Sequence, residues 1–335
     1  MSKLVTIFGG SGFVGRYVAE RMAKKGWRVR VAVRRPNEAL FVRQYGAVGQ
    51  VEPVLCNIRD DASVLAAAAG ADAVVNCVGI LSEVGKNKFQ DVQALGSARV
   101  ARVSSEQGVM NFVQISAIGA NEDSSSNYAR TKALGEASVL KYFPEATILR
   151  PSIIFGAEDQ FFNRFAQMAT LSPFLPLVGA NTKFQPVYVG DVAVAVEKAL
   201  LDSSVSGVYE LGGPNVETFS ELMKRMLGVI QRRRLMLNVP FFAAGIMGQT
   251  LDLIKAVTLG LFPNNILTQD QVKNLKNDNV VSANAKNLGD LDIKPTAMET
   301  VLPEYLWRYR VSGQYASIKN SCLLYTSDAA DEWIG

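Results

Sequence analysis

Near the start of the chain an apolar run passes directly into a cluster of glycines, and the stretch reads Leu4-Val5-Thr6-Ile7-Phe8-Gly9-Gly10-Ser11-Gly12-Phe13-Val14-Gly15. It predicts a strand, a tight turn and an amphipathic helix that stops at Gly26. Such glycines let the backbone approach a pyrophosphate, which the free N–H groups at the helix start would hold. The alternative is an ordinary strand–helix turn. The predicted cofactor contacts are Gly9, Gly12, Phe13, Val14 and Gly15.

The length allows one large α/β domain and a smaller lobe, and the composition is that of a folded chain. Of the 335 residues, 48% are hydrophobic and 20% charged, which is ample for a buried core. The three cysteines, Cys56, Cys77 and Cys322, are odd in number and widely spaced, so we expect no disulfide framework, no metal cluster and therefore a reducing setting. Histidine is absent, which excludes histidine acid–base catalysis and the commonest zinc ligand.

Positive charge is concentrated in the first fifty residues. They hold ten lysines and arginines against Glu20 and Glu38, although the whole chain carries a net charge of only +4. A basic region of this kind suits a phosphate-rich cofactor, an acidic partner surface or anionic lipid, and it also fits the solvated face of the first helix. We expect no nucleic-acid partner.

The two ends and one apolar segment bear on membrane association. The chain enters its first strand at once, so we expect no signal or transit peptide. No apolar run reaches the length of about 18 residues that a span needs, so we expect none. Val239 to Phe262 is apolar but interrupted by Gln249, Asp252 and Lys255, which fits a segment at a membrane interface, a segment against a partner, or a helix packed in the small lobe. Residues 321–335 do not continue the preceding pattern and resemble a translated adaptor or a read-through tail, so we expect no function from them.

Strand and helix signals alternate through the first half of the chain. Predicted strands after the first are Arg28–Val33, Glu52–Cys56, Ala73–Val78, Asn111–Ile115 and Ala146–Leu149. Predicted helices are Leu40–Tyr45, Asp61–Ala69, Phe89–Glu106 and Asn127–Lys141. This alternation predicts an α/β fold, a Rossmann-type doubly wound parallel sheet, with ligands at the carboxyl ends of the strands.

Beyond Pro151 the rhythm loosens into a smaller, mostly helical C-terminal lobe. Strand signals remain at Gln185–Val189, which leads through Asp191 into a helix over 192–201, and at Gly207–Leu211. A capping box, Thr218-Phe219-Ser220-Glu221, predicts a helix that reaches about Ile230. We therefore predict a nucleotide-binding domain over 1–150, a lobe interleaved with late Rossmann elements over 151–320, and an artefactual tail over 321–335.

The end of the second strand indicates which nicotinamide cofactor fits. Enzymes of this fold that use NAD place a carboxylate there, about 20 residues past the glycines, for the ribose 2′-hydroxyl. This chain has Arg34-Arg35 instead, and guanidinium groups pair bidentately with a 2′-phosphate that a carboxylate would repel. The sequence therefore predicts NADPH in preference to NAD. The alternative is that one or both arginines are ordinary surface residues.

Further cofactor contacts are predicted after the third and fourth strands. Asn57 and Ile58 follow the third strand, where an adenine ring would be flanked. Cys77, Val78 and Gly79 end the fourth strand, where a glycine lets the cofactor pass.

Tyr128 and Lys132 form a Tyr-x-x-x-Lys pair on one predicted helical face. An ammonium beside the phenol would lower the pKa of Tyr128, as acid–base work on a carbonyl or alcohol requires, and Lys132 would also hold the nicotinamide ribose. A Tyr-x-x-x-Lys motif by itself is common in proteins. It is informative here because it follows the glycine turn and five predicted strands in the chain.

From Gly9 to about Gly213 the chain resembles the short-chain dehydrogenase/reductase superfamily in its extended or atypical branch. The stretches Arg150–Gly156 and Val187–Ala193 are similar to that branch, and the resemblance implies that Pro151 lies near the nicotinamide and that Asp191 caps a helix. The superfamily orients substrate with a serine just past the fifth strand. In this chain the usual register falls nearer Ala117 than Ser116. Ser116 is thus a candidate for catalysis and cofactor binding in an incomplete triad.

A closer similarity is to the NADPH-binding accessory subunit family of respiratory complex I and its bacterial homologues. It covers roughly residues 3 to 315 and is carried by Ser124–Glu136, Phe143–Ala146, Ile154–Phe161 and Gln185–Val189. The resemblance implies a firmly held NADPH, docking on the peripheral arm near the membrane, and a structural role. It implies a peripheral location on the cytoplasmic face of a bacterial inner membrane, or on the matrix side in mitochondria.

Three hypotheses follow. The first is a non-catalytic NADPH-binding accessory or assembly subunit of complex I. The second, motivated by the intact pair of Tyr128 and Lys132, is an active NADP-dependent reductase, epimerase or dehydratase, for instance in quinone metabolism. The third is a regulatory NADP(H) sensor that binds partners.

Overall fold

The structure, a computed structural model, describes residues 2–243, 245 and 268–315. Its strands are β1 Leu4–Phe8, β2 Arg28–Val33, β3 Val51–Leu55, β4 Ala73–Asn76, β5 Asn111–Ile115, β6 Thr147–Pro151, β7 Ile154–Phe155, β8 Phe174–Val178, β9 Lys183–Phe184, β10 Val187–Tyr188, β11 Gly207–Leu211, β12 Glu217–Thr218 and β13 Leu235–Val239. Its α-helices are α1 Phe13–Lys24, α2 Asp61–Ala68, α3 Leu95–Glu106, α4 Asn127–Tyr142, α5 Phe162–Leu171, α6 Val189–Leu201, α7 Phe219–Val229, α8 Gln269–Asn274 and α9 Met298–Leu306.

The central sheet has seven strands in the order β11-β6-β5-β4-β1-β2-β3, and every pair in it is parallel. The order reverses direction beside β1, because β4 lies on one side of it and β2 on the other. Ligands of open α/β sheets bind at such a switch point, outside the carboxyl ends of the strands. The predicted doubly wound parallel sheet is confirmed.

Helices cover both faces of this sheet, and successive side chains of a strand enter opposite cores. Val5 and Ile7 of β1 belong to the core under α1 and α6, whereas Leu4 and Phe8 belong to the core under α2, α3 and α4. Because both faces are buried, the strands read as nearly continuous apolar runs. This packing holds the turn that follows Phe8 at the carboxyl end of β1.

A second lobe is built on its own core from residues that follow β6. Phe162 of α5, Phe219 of α7 and Leu302 of α9 are buried together there. Three two-stranded sheets border this core, β7 with β10, β9 with β12 and β8 with β13. The predicted capping box is confirmed, since the Thr218 side chain and Glu221 satisfy each other's backbone amides at the start of α7. The boundary at residue 150 stays a prediction, because α6 and β11 return to the central sheet from beyond it.

Several predicted boundaries were wrong. The strand predicted over Ala73–Val78 ends at Asn76, whose side-chain oxygen accepts the Val78 amide. The short helix predicted over Leu40–Tyr45 starts earlier, as a 3₁₀ segment over Pro36–Tyr45. The helix predicted from Phe89 does begin there, and its first turn, over Gln90–Ala94, is π-helical.

Asp191 is not a helix cap. Helix α6 begins at Val189 with Tyr188 as its N-cap, so Asp191 lies within the first turn. Its carboxylate accepts hydrogen bonds from the Thr296 amide (2.7 Å) and hydroxyl (2.9 Å). Asp191 therefore ties the sheet's covering helix to the segment that leads into α9.

Within the described ranges, no helix has both the length and the apolar character that crossing a membrane requires. Most of the apolar segment Val239 to Phe262 and the whole predicted tail over 321–335 lie outside the described residues.

Candidate functional site

The turn between β1 and α1 has the geometry of a phosphate-binding turn. Gly9 has a φ of +75°, a conformation that L side chains rarely adopt, and its amide donates to the Ala32 carbonyl of β2 (2.9 Å). A Cβ on Gly15 would lie 2.4 Å from the Gly9 oxygen, so only glycine lets α1 pack this closely on the turn. Gly12 caps α1 without any side-chain hydrogen bond. The first amides of the helix, including those of Phe13 and Val14, thus remain available to an anion.

A loop from the second lobe braces this turn. The Glu158 carboxylate forms an ion pair with Arg16 (3.2 Å) and accepts the Tyr17 hydroxyl (2.9 Å). Gly156 lies against the Phe13 ring, because a Cβ there would be 3.3 Å from the ring carbons. Sequence reasoning missed these contacts, since Tyr17 and Glu158 lie 141 residues apart.

The two arginines after β2 have different partners. Both are exposed, but Arg35 forms an ion pair with Glu38 (3.0 Å), whereas Arg34 donates to the side-chain oxygen of Asn87 (3.3 Å). A guanidinium already paired with a carboxylate binds a phosphate less readily than one held by a neutral amide. The structure therefore makes Arg34 the better candidate for a 2′-phosphate.

The predicted adenine-flanking residues lie at the carboxyl end of β3. The Asn57 amide donates to the Ser63 hydroxyl (2.8 Å), and its side-chain oxygen accepts the Arg59 amide (3.2 Å). Ile58 is buried, and its side chain packs where a Cβ on Gly96 would come within 3.3 Å. Asn57 is thus held by hydrogen bonds within its own segment, and Ile58 is held by packing against α3.

At the carboxyl end of β4, the Cys77 amide donates to the Phe8 carbonyl (2.9 Å), which holds this segment beside the glycine turn. Burial raises the pKa of the Cys77 thiol to about 12, so it stays protonated near neutral pH. Gly79 faces Lys132, since a Cβ there would lie 3.3 Å from the Lys132 Nζ. The absence of a side chain at Gly79 keeps the approach to Lys132 open.

Lys132 is buried, and its Nζ donates to the Ile115 carbonyl at the end of β5 (3.2 Å). Burial lowers the pKa of the Lys132 amine to about 8, although the charges of Glu136 and Cys77 act in the opposite direction. An ammonium held at this position can hydrogen-bond to ribose hydroxyls. Tyr128 lies one turn earlier on α4, as the spacing predicted.

The expected activation of Tyr128 is not what the structure shows. Burial raises the pKa of its phenol to about 12, and the ring packs edge-on against Phe89 with centroids 5.9 Å apart. The prediction that Lys132 lowers the pKa of Tyr128 was therefore wrong, because desolvation by the surrounding protein outweighs any attraction from the ammonium. The neutral phenol is a hydrogen-bond donor and a poor base.

Ser116 does not join Tyr128 and Lys132 in a triad. Its hydroxyl donates to the Glu136 carboxylate, and that carboxylate is also held by the Arg150 guanidinium through Nε (3.0 Å) and Nη2 (2.5 Å). Ser116 is 4% exposed and Glu136 is 5% exposed, so the group is a buried structural network. Pro151, which follows Arg150, is the last residue of β6 and is buried at the same edge of the sheet.

The start of the Tyr128 helix is fixed by a residue from the other lobe. The Asp270 carboxylate of α8 accepts the Ser126 hydroxyl (2.8 Å) and the amides of Asn127 (2.7 Å) and Tyr128 (3.1 Å). A carboxylate at a helix N-terminus satisfies free N–H groups and favours the helix dipole. No local pattern could have predicted this contact across 142 residues.

The arrangement can bind a dinucleotide along the carboxyl edge of the sheet, with phosphates at the glycine turn and a ribose near Lys132. In the described part of the chain, no group of three or more histidine, cysteine or acidic side chains could hold a metal ion.

Comparison with known proteins shows similarity to one protein family and to individual members of known sequence. Residues 5–212 match the profile of the NAD dependent epimerase/dehydratase family. NADH dehydrogenase (ubiquinone) 1 alpha subcomplex subunit 9, mitochondrial, of Arabidopsis thaliana is 37% identical over 316 residues, which cover 92% of this chain and 79% of that protein. Ceramide reductase of Caulobacter vibrioides is 29% identical over 239 residues, covering 71% and 74%.

Among solved structures, the NADPH complex of an NADPH-dependent quinone oxidoreductase from Escherichia coli superposes with a TM-score of 0.68. It is 19% identical, and the match covers 90% of this chain and 98% of that one. This likeness shows a shared fold.

Proposed function

The chain belongs to the NAD dependent epimerase/dehydratase family and, within it, to the family of complex I alpha subcomplex subunit 9 proteins, and on this premise we propose that it is an NADPH-binding, non-catalytic accessory subunit of respiratory complex I. The fold is an NAD(P)-binding Rossmann fold, and the relatives from Arabidopsis thaliana and Mus musculus are named as mitochondrial subunits of NADH dehydrogenase. We propose that this chain is likewise a subunit of complex I.

The observation that carries the proposal is the placement of Ser116. The chain has the features that would hold the cofactor, namely the glycine turn, Arg34 and the buried Lys132. The hydroxyl at the end of β5, by contrast, is bonded to the buried Glu136, and the next residue is Ala117. A substrate carbonyl beside Tyr128 would thus lack the serine that the superfamily uses to orient it. With a pKa of about 12, Tyr128 also supports cofactor holding better than proton transfer.

The preference for NADPH over NAD rests on Arg34. Arg34 directly follows β2, where a carboxylate would hold a 2′-hydroxyl, and its guanidinium donates to the neutral side-chain oxygen of Asn87. The 2′-phosphate would replace that oxygen with a charge-assisted pair. The other contacts assigned to the cofactor are those predicted at Asn57, Ile58, Cys77, Val78, Gly79, Tyr128, Lys132 and Pro151.

Partners and location follow from the same proposal. We place the chain on the peripheral arm of complex I, on the cytoplasmic face of a bacterial inner membrane or the matrix side in mitochondria. Contact with the membrane interface is supported by a cationic surface cavity of about 560 Å³, lined by Lys224, Arg232, Arg233 and Arg234 among others. Leu235 and Leu237, exposed by 59% and 43%, follow directly. Cations beside exposed apolar side chains suit an anionic lipid surface.

A second candidate function is an active NADP-dependent reductase, epimerase or dehydratase, for instance in quinone metabolism. Two observations favour it. Tyr128 and Lys132 are retained one turn apart on α4, and the bacterial relative named ceramide reductase covers 71% of this chain. In this reading the Tyr128 hydroxyl would protonate a carbonyl oxygen as hydride arrives from the cofactor.

Fractionation of native membranes separates the two. After mild detergent extraction, we expect the chain to migrate with NADH:quinone oxidoreductase and to carry bound NADPH. We also expect the Tyr128→Phe variant to assemble equally well. A protein that migrates alone and oxidises NADPH with a simple carbonyl or sugar-nucleotide substrate would overturn the accessory role and favour the enzyme.

A further inference from the structure

A short hairpin follows β4 in the chain and lies at the carboxyl edge of the sheet, where the cofactor is proposed to bind. Val84 and Asn87 exchange both backbone hydrogen bonds (3.2 and 3.0 Å), and Gly85 between them has a φ of +55°. This geometry defines a two-residue turn with Lys86 at its exposed tip. We call these four residues, 84–87, the 84–87 hairpin.

The hairpin is fastened to the ends of two neighbouring strands. Arg34, just past β2, donates to the Asn87 side-chain oxygen (3.3 Å), and Arg59, just past β3, donates to the Lys86 carbonyl (2.7 Å). The 84–87 hairpin therefore lies beside the position that the adenosine half of a dinucleotide would occupy. Its tip is held near two guanidinium groups that follow different strands.

The charge of this corner suits a phosphate monoester. Arg34, Arg59 and Lys86 bring three cations together, and the two arginines are held by neutral oxygens of an amide and a carbonyl. A neutral partner orients a guanidinium without cancelling its charge, so an arriving dianion can displace it. Arg35 differs in this respect, because Glu38 already pairs with it.

We infer that the 84–87 hairpin completes the site for the 2′-phosphate of the cofactor, with Arg34 exchanging Asn87 for phosphate and Lys86 supplying a further cation. Arg59 acts as a positioning residue that holds the tip in place. The inference rests on the proposed NADPH function and adds Asn87 and Lys86 as specificity-determining residues. Asn87 contributes by being neutral, since a carboxylate there would compete with the phosphate for Arg34.

The test is a titration of the purified full-length chain with NADPH and with NADH, followed by nucleotide fluorescence. We expect Asn87→Asp and Lys86→Glu each to weaken NADPH at least about tenfold, the scale of one charge-assisted hydrogen bond, and to leave NADH unchanged. Lys88→Glu is the matched control, because Lys88 already pairs with Glu83 (3.5 Å) and lies next to the hairpin. It should change neither affinity by as much.

The outcomes separate this inference from the function on which it rests. If the unchanged protein prefers NADPH and both hairpin variants keep that preference, the hairpin has no role in specificity and the proposed cofactor stands. If the unchanged protein binds NADPH no better than NADH, the proposed cofactor preference fails and this inference fails with it. Lys86 is exposed at the tip, so Lys86→Glu keeps the test valid even where Asn87→Asp disturbs the loop.

Discussion

The Ser116 hydroxyl donates a hydrogen bond to the Glu136 carboxylate, which Arg150 holds from the neighbouring strand. Ser116, which the sequence offered as a candidate for catalysis, thus serves as a link between β5, β6 and α4. Glu136 follows Lys132 by one turn on the same helix, so the network fixes the helix that carries the cofactor-holding lysine.

Replacing Ser116 with alanine should affect stability rather than chemistry. The variant loses a buried hydrogen bond to a charged group, and we expect the free energy of unfolding to fall by about 1.5–3 kcal/mol. Urea unfolding and NADPH titration measure the two effects, and NADPH affinity should be unchanged. Ser138→Ala is the control, because that hydroxyl donates to the Leu134 carbonyl on the exposed side of α4. A Ser116→Ala protein with normal stability, or with a selective loss of NADPH affinity, would contradict this role.

Arg34 and Arg35 should differ in their contribution to cofactor binding. Because the Arg34 guanidinium is held by the neutral Asn87 side-chain oxygen, Arg34→Glu should weaken NADPH by about 1.5–3 kcal/mol. The same change at Arg35 should have a smaller effect, since Glu38 already neutralises that guanidinium (3.0 Å). Calorimetric titration with NADPH and NADH measures both. Equal losses for the two variants, or a parallel loss of NADH affinity, would show that the 2′-phosphate is bound elsewhere.

The depressed pKa of Lys132 predicts a specific dependence of stability on pH. Between the folded value of about 8 and the ordinary value of 10.5, the unfolded chain keeps a proton that the folded chain has released. Stability therefore rises with pH in that window, by at most about 1.4 kcal/mol per pH unit, and this contribution is constant below it. Relative to Lys132→Met, the cofactor-free protein should gain stability as pH rises through the window.

Urea unfolding of both proteins at a series of pH values makes this comparison. The Cys77 thiol, whose pKa burial raises to about 12 from 9.0, acts in the opposite direction above pH 9, but it is present in both proteins and its effect largely cancels in the difference. A stability difference that is flat through the window would show that the Lys132 amine titrates normally.

Removal of the Asp270 carboxylate should loosen the helix that carries Tyr128 and Lys132. Asp270→Ala leaves the Ser126 hydroxyl and the first amides of α4 without this partner, and we expect a loss of about 1–2 kcal/mol in the free energy of unfolding. NADPH affinity should fall several-fold as the helix start becomes less ordered.

Asp278→Ala provides the control for this change, because Asp278 accepts the Lys183 amide away from α4 (2.8 Å). It should lower stability without a selective loss of NADPH affinity. If the two variants weaken NADPH equally, the effect of Asp270 belongs to general stability and not to the helix start.

Much of the fold was predictable because its signals are local. The glycine turn, the alternating strands and helices, and the capping box at Thr218 depend on residues within a few positions of one another, and each is found where the sequence placed it. Short-range sterics and hydrogen bonding decide such elements. One boundary shifted where a side chain intervened, since the Asn76 side-chain oxygen accepts the Val78 amide just past the end of β4.

The site was less predictable because its side chains depend on distant partners. Asp191 looked like a cap but binds Thr296, 105 residues away, and Ser116 looked like a candidate catalytic serine but binds Glu136. The pKa of Tyr128 depends on how much protein surrounds its ring, which the spacing to Lys132 does not reveal. Asn87 and Asp270 belong to no sequence motif, so their contacts with Arg34 and with the start of α4 were not predictable.

The central claim is that NADPH is bound and not consumed. The most direct measurement is the recovery of bound nucleotide from the purified complex after sustained NADH oxidation, with NADPH carrying deuterium at the transferable position. We predict that the chain retains reduced, fully labelled NADPH in stoichiometric amount. Recovery of oxidised NADP, or loss of the label, would show that a substrate accepts the hydride and that the chain is an enzyme.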